Sequence, residues 1–443
     1  MSWYEPSFVY QVYPLGLTGA PHENDGVQSH RLLQLVQNGW IEHLQRLGAT
    51  CLMLNPVFES LTHGYDTSDY TRVDCRLGTN ADLRAVVDAC HAAGIRVLLD
   101  GVFNHVGRGF WAFRDVQERR WDSPYAGWFE IDWGGDTEYG DGFSYATWQG
   151  VPYLVKLNHA NPELNGYLAE VIRGWVREFD IDGLRLDVAY CLDKGFLGYL
   201  RQVADAISAE RGQKFVLVGE TMFGDYNLWM GDGLCDSVTN YEMYKGMWSG
   251  LNSANMHEIA YGLERQSGSH PWDLYTHRHL LNFVDNHDVP RIATQLVDAR
   301  HLPVIYGLLF GMRGVPCVYY GSEWGIEGEQ HFGDYELRPA LEAPEWNELA
   351  AWIAALARAR AGSKALVWGD YQQLAVGMQQ LVFQRSCEGE RVIVGVNAAA
   401  EPAVMHFDAR CGRAVDLITG AAHDFGGGSE LSPFSVRYWR CER

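Results

Sequence analysis

The sequence predicts a (β/α)8 TIM barrel, α/β in class, with an inserted subdomain after strand 3 and a small C-terminal antiparallel β domain. Three observations predict it. Eight short β-rich apolar runs alternate with helical stretches, which is the pattern of parallel strands, and eight such strands close a barrel. Four of the runs end in polar groups, where barrels of this kind carry their sites. The chain has 443 residues, enough for one barrel of roughly 250 to 400 residues and an appendage.

The runs cover residues 9–14, 51–57, 96–103, 181–189, 215–220, 235–240, 279–286 and 315–321. An amphipathic stretch at 32–47 precedes the second. A helix-like stretch at 80–93 precedes the third and stops at Gly94, a residue that tolerates the left-handed turn ending a helix. Helical stretches at 163–179 and 196–210 lead into the fourth and fifth runs, and an apolar helix at 301–312 leads into the eighth. One connection is abnormal. Residues 107–156 are rich in Gly, Asp, Tyr and Trp, including Trp111, Trp121, Trp128, Trp133 and Trp148. A structureless loop of that length would count against a barrel, so this segment is expected to be a small subdomain at the mouth. The barrel then takes residues 1–106 and 157–364. A last helix at 346–361 gives way to alternating runs at 380–384, 391–397 and 436–440, the expected β domain of residues 365–443.

Hydrophobic residues make up 47% of the chain and charged residues 21%, the balance of a globular protein with a sizeable core. The formal net charge of -21 argues against nucleic acid and anionic membrane surfaces as partners and suits a neutral substrate. Residues 1–6 show no basic segment leading into an apolar one, so no secretory leader is expected. No apolar run reaches the ~18 residues that a spanning helix needs. These readings make a cytoplasmic protein the expectation. Nine cysteines, several of them inside strand or helix patterns (Cys51, Cys90, Cys235, Cys317), read as free buried thiols.

The chemistry lies in the four polar-ended runs. Asp100, Asn104 and His105 close the third. Arg185 and Asp187 close the fourth, and their spacing of two places both on one face of a strand. Glu220 closes the fifth, and His287 and Asp288 follow the seventh. A single Asp at a strand end is more often a cap or an ion-pair partner. Acids in register at successive strand ends of one barrel are an inventory for acetal cleavage, which needs a proton for the leaving oxygen and a carboxylate for the oxocarbenium ion. On this reading Asp187 is the nucleophile, kept ionised by Arg185. Glu220, behind an apolar strand, is the general acid. Asp288 steadies the distorted transition state. His105 and His287 donate to hydroxyls beside the reacting carbon, and Asp100 is structural.

These segments resemble the signatures of the alpha-amylase superfamily. Asp100 to His105, Gly183 to Asp187, Val218 to Glu220 and Phe283 to Asp288 are similar to its four motifs in order. The resemblance implies Asp187 as nucleophile, Glu220 as acid/base and Asp288 as transition-state stabiliser. It also implies Tyr65, within Gly64-Tyr65-Asp66, as a stacking platform. Finer motifs resemble the cyclomaltodextrinase, neopullulanase and maltogenic amylase branch: Lys156-Leu157-Asn158, Asp187-Val188-Ala189, and Asp236 to Tyr241. Two departures stand out. Tyr190 and Cys191 occupy positions where that branch carries Asn-Glu and many amylases carry a calcium-binding pair. Met222 and Phe223 replace an aromatic-His pair.

The resemblance implies a retaining hydrolase of short or cyclic maltooligosaccharides, including small rings with α-1,6 links. No cofactor is required; calcium stays possible, with Asn104 as one ligand, but the motif does not support it. A homodimer is possible. The alternatives are a transglycosylase or isomerase on the same site (a glucanotransferase or trehalose synthase) and a non-catalytic sugar-binding subunit.

Overall fold

The computed structural model describes residues 2–331 and 333–442. Eight parallel strands form the barrel: β1 (Val9–Val12), β2 (Cys51–Leu54), β3 (Arg96–Gly101), β4 (Gly183–Leu186), β5 (Val216–Gly219), β6 (Ser237–Val238), β7 (Leu281–Asn282) and β8 (Val315–Tyr319). Each lies inside one of the expected runs. The sheet order is β6-β5-β4-β3-β2-β1-β8-β7, and a parallel bridge between Thr239 and Leu281 joins its two ends.

Alternation along the strands separates two cores. Val9, Cys51, Met53, Leu98, Val216, Val218, Val315 and Cys317 fill the interior of the barrel. Tyr10, Val12, Leu52, Leu99, Leu184 and Leu217 face outward against the helices. The same parity carries the inward row onto Gln11, Asp100, Arg185 and Asp187 at the strand ends.

The helices α1 (Trp40–Leu47), α2 (Asn80–Ala92), α3 (Pro162–Phe179), α4 (Lys194–Arg211), α5 (Tyr241–Asn252), α6 (Met256–Ser267), α7 (Leu302–Gly311) and α8 (Glu348–Ala361) follow. The amphipathic stretch at 32–47 is not one helix. Gly39, at φ 82°, breaks it ahead of α1. Thr79 opens α2 through a reciprocal cap, accepting from the Asp82 amide while its own amide donates to the Asp82 carboxylate. Thr79→Ala is expected to cost about 1 kcal/mol, read as a lowered unfolding midpoint in urea with activity unchanged.

The segment after β3 is built as its own unit. His105–Gly107 pairs antiparallel with Leu154–Lys156, closing the insertion at its base. A helix at Trp111–Arg119 packs Phe113 against Phe129 and Tyr145. A six-stranded antiparallel sheet follows α8: β9 (Asp370–Val376), β10 (Gln380–Cys387), β11 (Glu390–Asn397), β12 (Arg413–Asp416), β13 (Ala422–Asp424) and β14 (Ser435–Cys441), in the order β9-β10-β11-β14-β12-β13. Its central strand docks on the barrel: Tyr438 Oη donates to the Gly307 carbonyl at 2.5 Å. All nine cysteines are free. Among the described residues no helix is long and apolar enough to cross a membrane.

Candidate active site

The seven residues singled out in the sequence converge at the C-terminal mouth of the barrel, around a cavity of about 1140 Å³. Register starts the assembly. Arg185 on β4 stands opposite Asp100 on β3, and their side chains pair at 2.6 Å, exposed by only 3% and 0%. The same guanidinium reaches Asp187 Oδ1 at 3.2 Å and Glu220 Oε1 at 2.6 Å. One buried cation thus ties three carboxylates. Breaking such a cluster on one side leaves a buried charge uncompensated, so Arg185 fixes where both candidate catalytic acids stand.

Glu220 is held from a second direction. Its Oε2 accepts from the Val188 amide at 2.9 Å. Val188 follows Asp187 with φ 39°, a left-handed conformation that costs a β-branched residue about 1–3 kcal/mol. That turn aims the amide of the residue after one candidate acid at the other. Tyr241, just beyond β6, brings its hydroxyl 3.5 Å from Glu220 Oε1, and Asn286 Nδ2 donates to that hydroxyl at 3.0 Å.

Burial pushes the Asp187 carboxyl well up; Arg185 opposes this, and the Glu220, Asp100 and Asp288 carboxylates add to it. The sequence reading expected Arg185 to hold Asp187 low. The difference arises first from burial and then from the neighbouring carboxylates that share the cation. Asp288 goes the other way. Burial would raise it, but contact with His287 and the Arg338 and Arg185 cations hold it well below the usual carboxylate range. Arg338 Nη2 donates to Asp288 Oδ1 at 3.0 Å and also reaches Asp334.

His105 is pushed down to about 3 by burial and by His63, so it is neutral. Its Nδ1 lies 3.1 Å from the Asn104 side-chain amide. Its Nε2 is buried without a side-chain partner on the cavity wall, where a sugar hydroxyl could meet it. Tyr65 projects from the loop between the paired segments Phe58–Ser60 and Thr67–Val73. Its ring lines the cavity, and its hydroxyl bonds Asp100 at 3.1 Å.

Arg185 and His287 do not line the cavity; they lie one layer below it, exposed by 2% and 1%. Of the five tryptophans in the insertion, Trp148 lines the cavity, Trp128 is buried and Trp121 is 65% exposed. Gln11, Arg338 and Tyr241 were not singled out as site residues. The inward parity of β1 could have found Gln11; nothing in the sequence marks Arg338, which comes from the long loop after β8.

Asn104 Oδ1 is buried without a hydrogen-bond partner, the one sign that bears on calcium. Calcium takes about six to eight oxygens. Among the described residues no three Asp, Glu, His or Cys side chains gather as a metal cage.

The family model described as the alpha amylase catalytic domain matches residues 38–373. The chain belongs to the alpha-amylase family. Among its alpha-amylase relatives, a cyclomaltodextrinase from Geobacillus thermopakistaniensis (strain MAS1) is 33% identical over 390 residues, 86% of this chain and 65% of that one. An intracellular maltogenic amylase from Bacillus subtilis is 32% identical over 293 residues, 65% of this chain and 48% of that one. The chain therefore spans less than two thirds of the length of the curated relatives it matches. A solved structure matches end to end: the ligand-free cyclic alpha-maltosyl-(1→6)-maltose hydrolase from Arthrobacter globiformis, with 28% identity, a TM-score of 0.84 and full coverage of both chains.

Proposed function

We propose that the protein is a retaining glycoside hydrolase that opens α-glucosidic bonds in short or cyclic maltooligosaccharides. The carrying observation is the buried Arg185 guanidinium, which ties Asp187 and Glu220 together in one cavity that Asp288 also lines. Asp187 attacks the anomeric carbon. Glu220 protonates the leaving oxygen, then takes a proton from water in the second step. Asp288 keeps its charge against the oxocarbenium ion, and His105 and Tyr65 hold the sugar. All roles fall to side chains, so no cofactor is required.

Ring substrates with α-1,6 links are favoured by the end-to-end likeness to an enzyme named for one. The cytoplasm is the proposed location, supported by a relative named as intracellular. A homodimer is the proposed assembly to be checked by sedimentation.

Transglycosylation is the second reading. The rings of Tyr190 and Phe223 meet at 5.4 Å on the cavity wall beside Glu220, with Met222 next to them. An apolar wall on the leaving-group side disfavours water against a sugar acceptor. A non-catalytic subunit is disfavoured because all three acids are present and assembled.

The test sets linear maltotetraose against cyclodextrin and a small ring with alternating α-1,4 and α-1,6 links, following the newly formed anomer by proton NMR. The α-anomer should appear first, with rings opened to short linear sugars. Initial release of the β-anomer would sink the retaining mechanism. Longer or rearranged sugars at high substrate would favour transfer.

A further inference from the structure

We infer that Gln11, on β1, is a positioning residue that keeps the proton of His287 on Nε2 and so aims that N–H at Asp288; only the kinetic part of its test rests on the proposed reaction.

The pairing of Asp100 with buried Arg185 at 2.6 Å makes it a carboxylate, which only accepts. Asn55 Nδ2 lies 3.1 Å from Asp100 Oδ2. The reversed amide would set two oxygens face to face, so the amide orientation of Asn55 is fixed. Its Oδ1 then points the other way and sits 2.9 Å from Gln11 Nε2. Gln11 must therefore present its NH2 there, and its orientation is fixed in turn. The same Nε2 lies 3.1 Å from His287 Nδ1. An amide nitrogen cannot accept, so Nδ1 is the acceptor and carries no proton. The proton is on Nε2.

That nitrogen faces Tyr65 Oη at 2.5 Å, Asp288 Oδ2 at 3.0 Å and, farther off, Asn55 Nδ2 at 3.5 Å. Tyr65 donates its own proton to Asp100, and its oxygen acts as an acceptor, taking a hydrogen bond from Asn55 Nδ2 at 3.0 Å as well; burial and the Asp100 charge hold its phenol well up, so it keeps that proton. Tyr13 and Tyr65 clamp the imidazole between near-parallel rings at 5.9 and 5.7 Å, so the ring cannot turn over. Besides the Asn55 amide nitrogen, the Arg338 Nε meets the His287 backbone carbonyl and the Tyr319 ring lies at 6.4 Å. None of these offers Nδ1 an acceptor.

Asp288 is consequently served by the Nε2–H donor. A proton on Nδ1 would set its N–H against the Gln11 N–H, two donors head to head. Gln11 thus opposes the wrong tautomer and keeps the Nε2–H aimed at Asp288.

Two-bond ¹H–¹⁵N NMR of the full chain labelled at histidine, assigned with His287→Gln, reads the tautomer directly. His287 should show the neutral Nε2–H pattern at neutral pH. An Nδ1–H or imidazolium pattern overturns the inference, whatever the activity. Gln11→Leu removes the donor: the tautomers should mix and kcat should fall about tenfold, with KM within about twofold. Gln11→Glu donates only while protonated. Its kcat should approach wild type in acid and fall as the new carboxyl ionises, a limb absent from wild type and from Gln11→Leu. Equal, pH-independent losses in both variants would leave Gln11 a packing role and overturn the inference. If neither variant folds, the wild-type spectrum decides alone.

Discussion

Asp187→Asn is expected to lower kcat on maltooligosaccharides by on the order of 10⁴-fold while raising thermal stability. The two effects share one cause. Asp187 is 5% exposed, and burial together with three neighbouring carboxylates pushes its carboxyl well up. An acid raised on folding binds more protons folded than unfolded, so its contribution to stability is full below the unfolded value of about 4 and is lost as pH rises through the folded value. The amide has no charge to lose. Its advantage over wild type should therefore widen with rising pH above about 4, read as the difference in Tm across a pH series. Arg185 is not orphaned by the change, because Asp100 and Glu220 remain at 2.6 Å.

Glu220→Gln separates the two acids. Its natural substrates need a protonated leaving oxygen, and losing the acid should cost about 10²–10⁴-fold. α-Maltosyl fluoride leaves without a proton, so Glu220→Gln should still form the glycosyl-enzyme from it, detectable as a mass increment on the intact protein. Asp187→Asn should form none. Equal loss by both variants on both substrates would remove the assigned division of labour.

The assembly of this site was legible because its parts follow strand parity. Asp100, Arg185, Asp187 and Glu220 occupy inward positions at the ends of buried strands, and the strands announce themselves by β-branched, apolar runs. The runs overstate the strands: the seventh spans residues 279–286, but pairing covers only Leu281–Asn282, since barrel strands this short leave their ends to loops. Helices α5 and α6 went unmarked because Gly246, Gly250 and Gly262 lie within otherwise helical patterns. Two of them allow close approaches, with a Cβ on Gly250 2.7 Å from Ile259 and one on Gly262 2.7 Å from Met243. Arg338 was illegible for another reason: its partner Asp288 lies fifty positions earlier, and only the closed barrel brings them together. The electrostatics of Asp187 was misjudged because sequence neighbours show which cation is near, and neither how deeply the carboxyl is buried nor how many acids share that cation.

Arg360→Met is expected to destabilise the protein by about 2–5 kcal/mol without touching the site. Arg360 reads as one more solvent-facing charge on α8, yet it is 2% exposed. Its guanidinium donates to the carbonyls of Phe310, Met312, Leu366 and Gly314. Phe310 and Met312 lie at the C-terminal end of α7, where carbonyls lack helical partners and the dipole favours a cation. Arg385 of β10 bonds Gly311 in the same turn at 3.0 Å, so the barrel and the β domain meet over one set of capped carbonyls. Burial, against the nearby Tyr438 and with Arg313 adding repulsion, pushes Arg360 down to about 10, showing that the cation is held at a cost. Methionine removes that cost but leaves several buried carbonyls unpaired, at about 1–3 kcal/mol each, so the loss outweighs the gain. Arg360→Lys keeps the charge but reaches fewer carbonyls from a single nitrogen and should fall between the two. Calorimetry should show a lower Tm for Arg360→Met and an earlier transition of the β domain, with kcat on maltotetraose unchanged at temperatures where the protein stays folded. An unchanged Tm would mean that water replaces the guanidinium at these carbonyls, and the docking of the β domain would then rest on Tyr438, Arg385 and the apolar contacts around them.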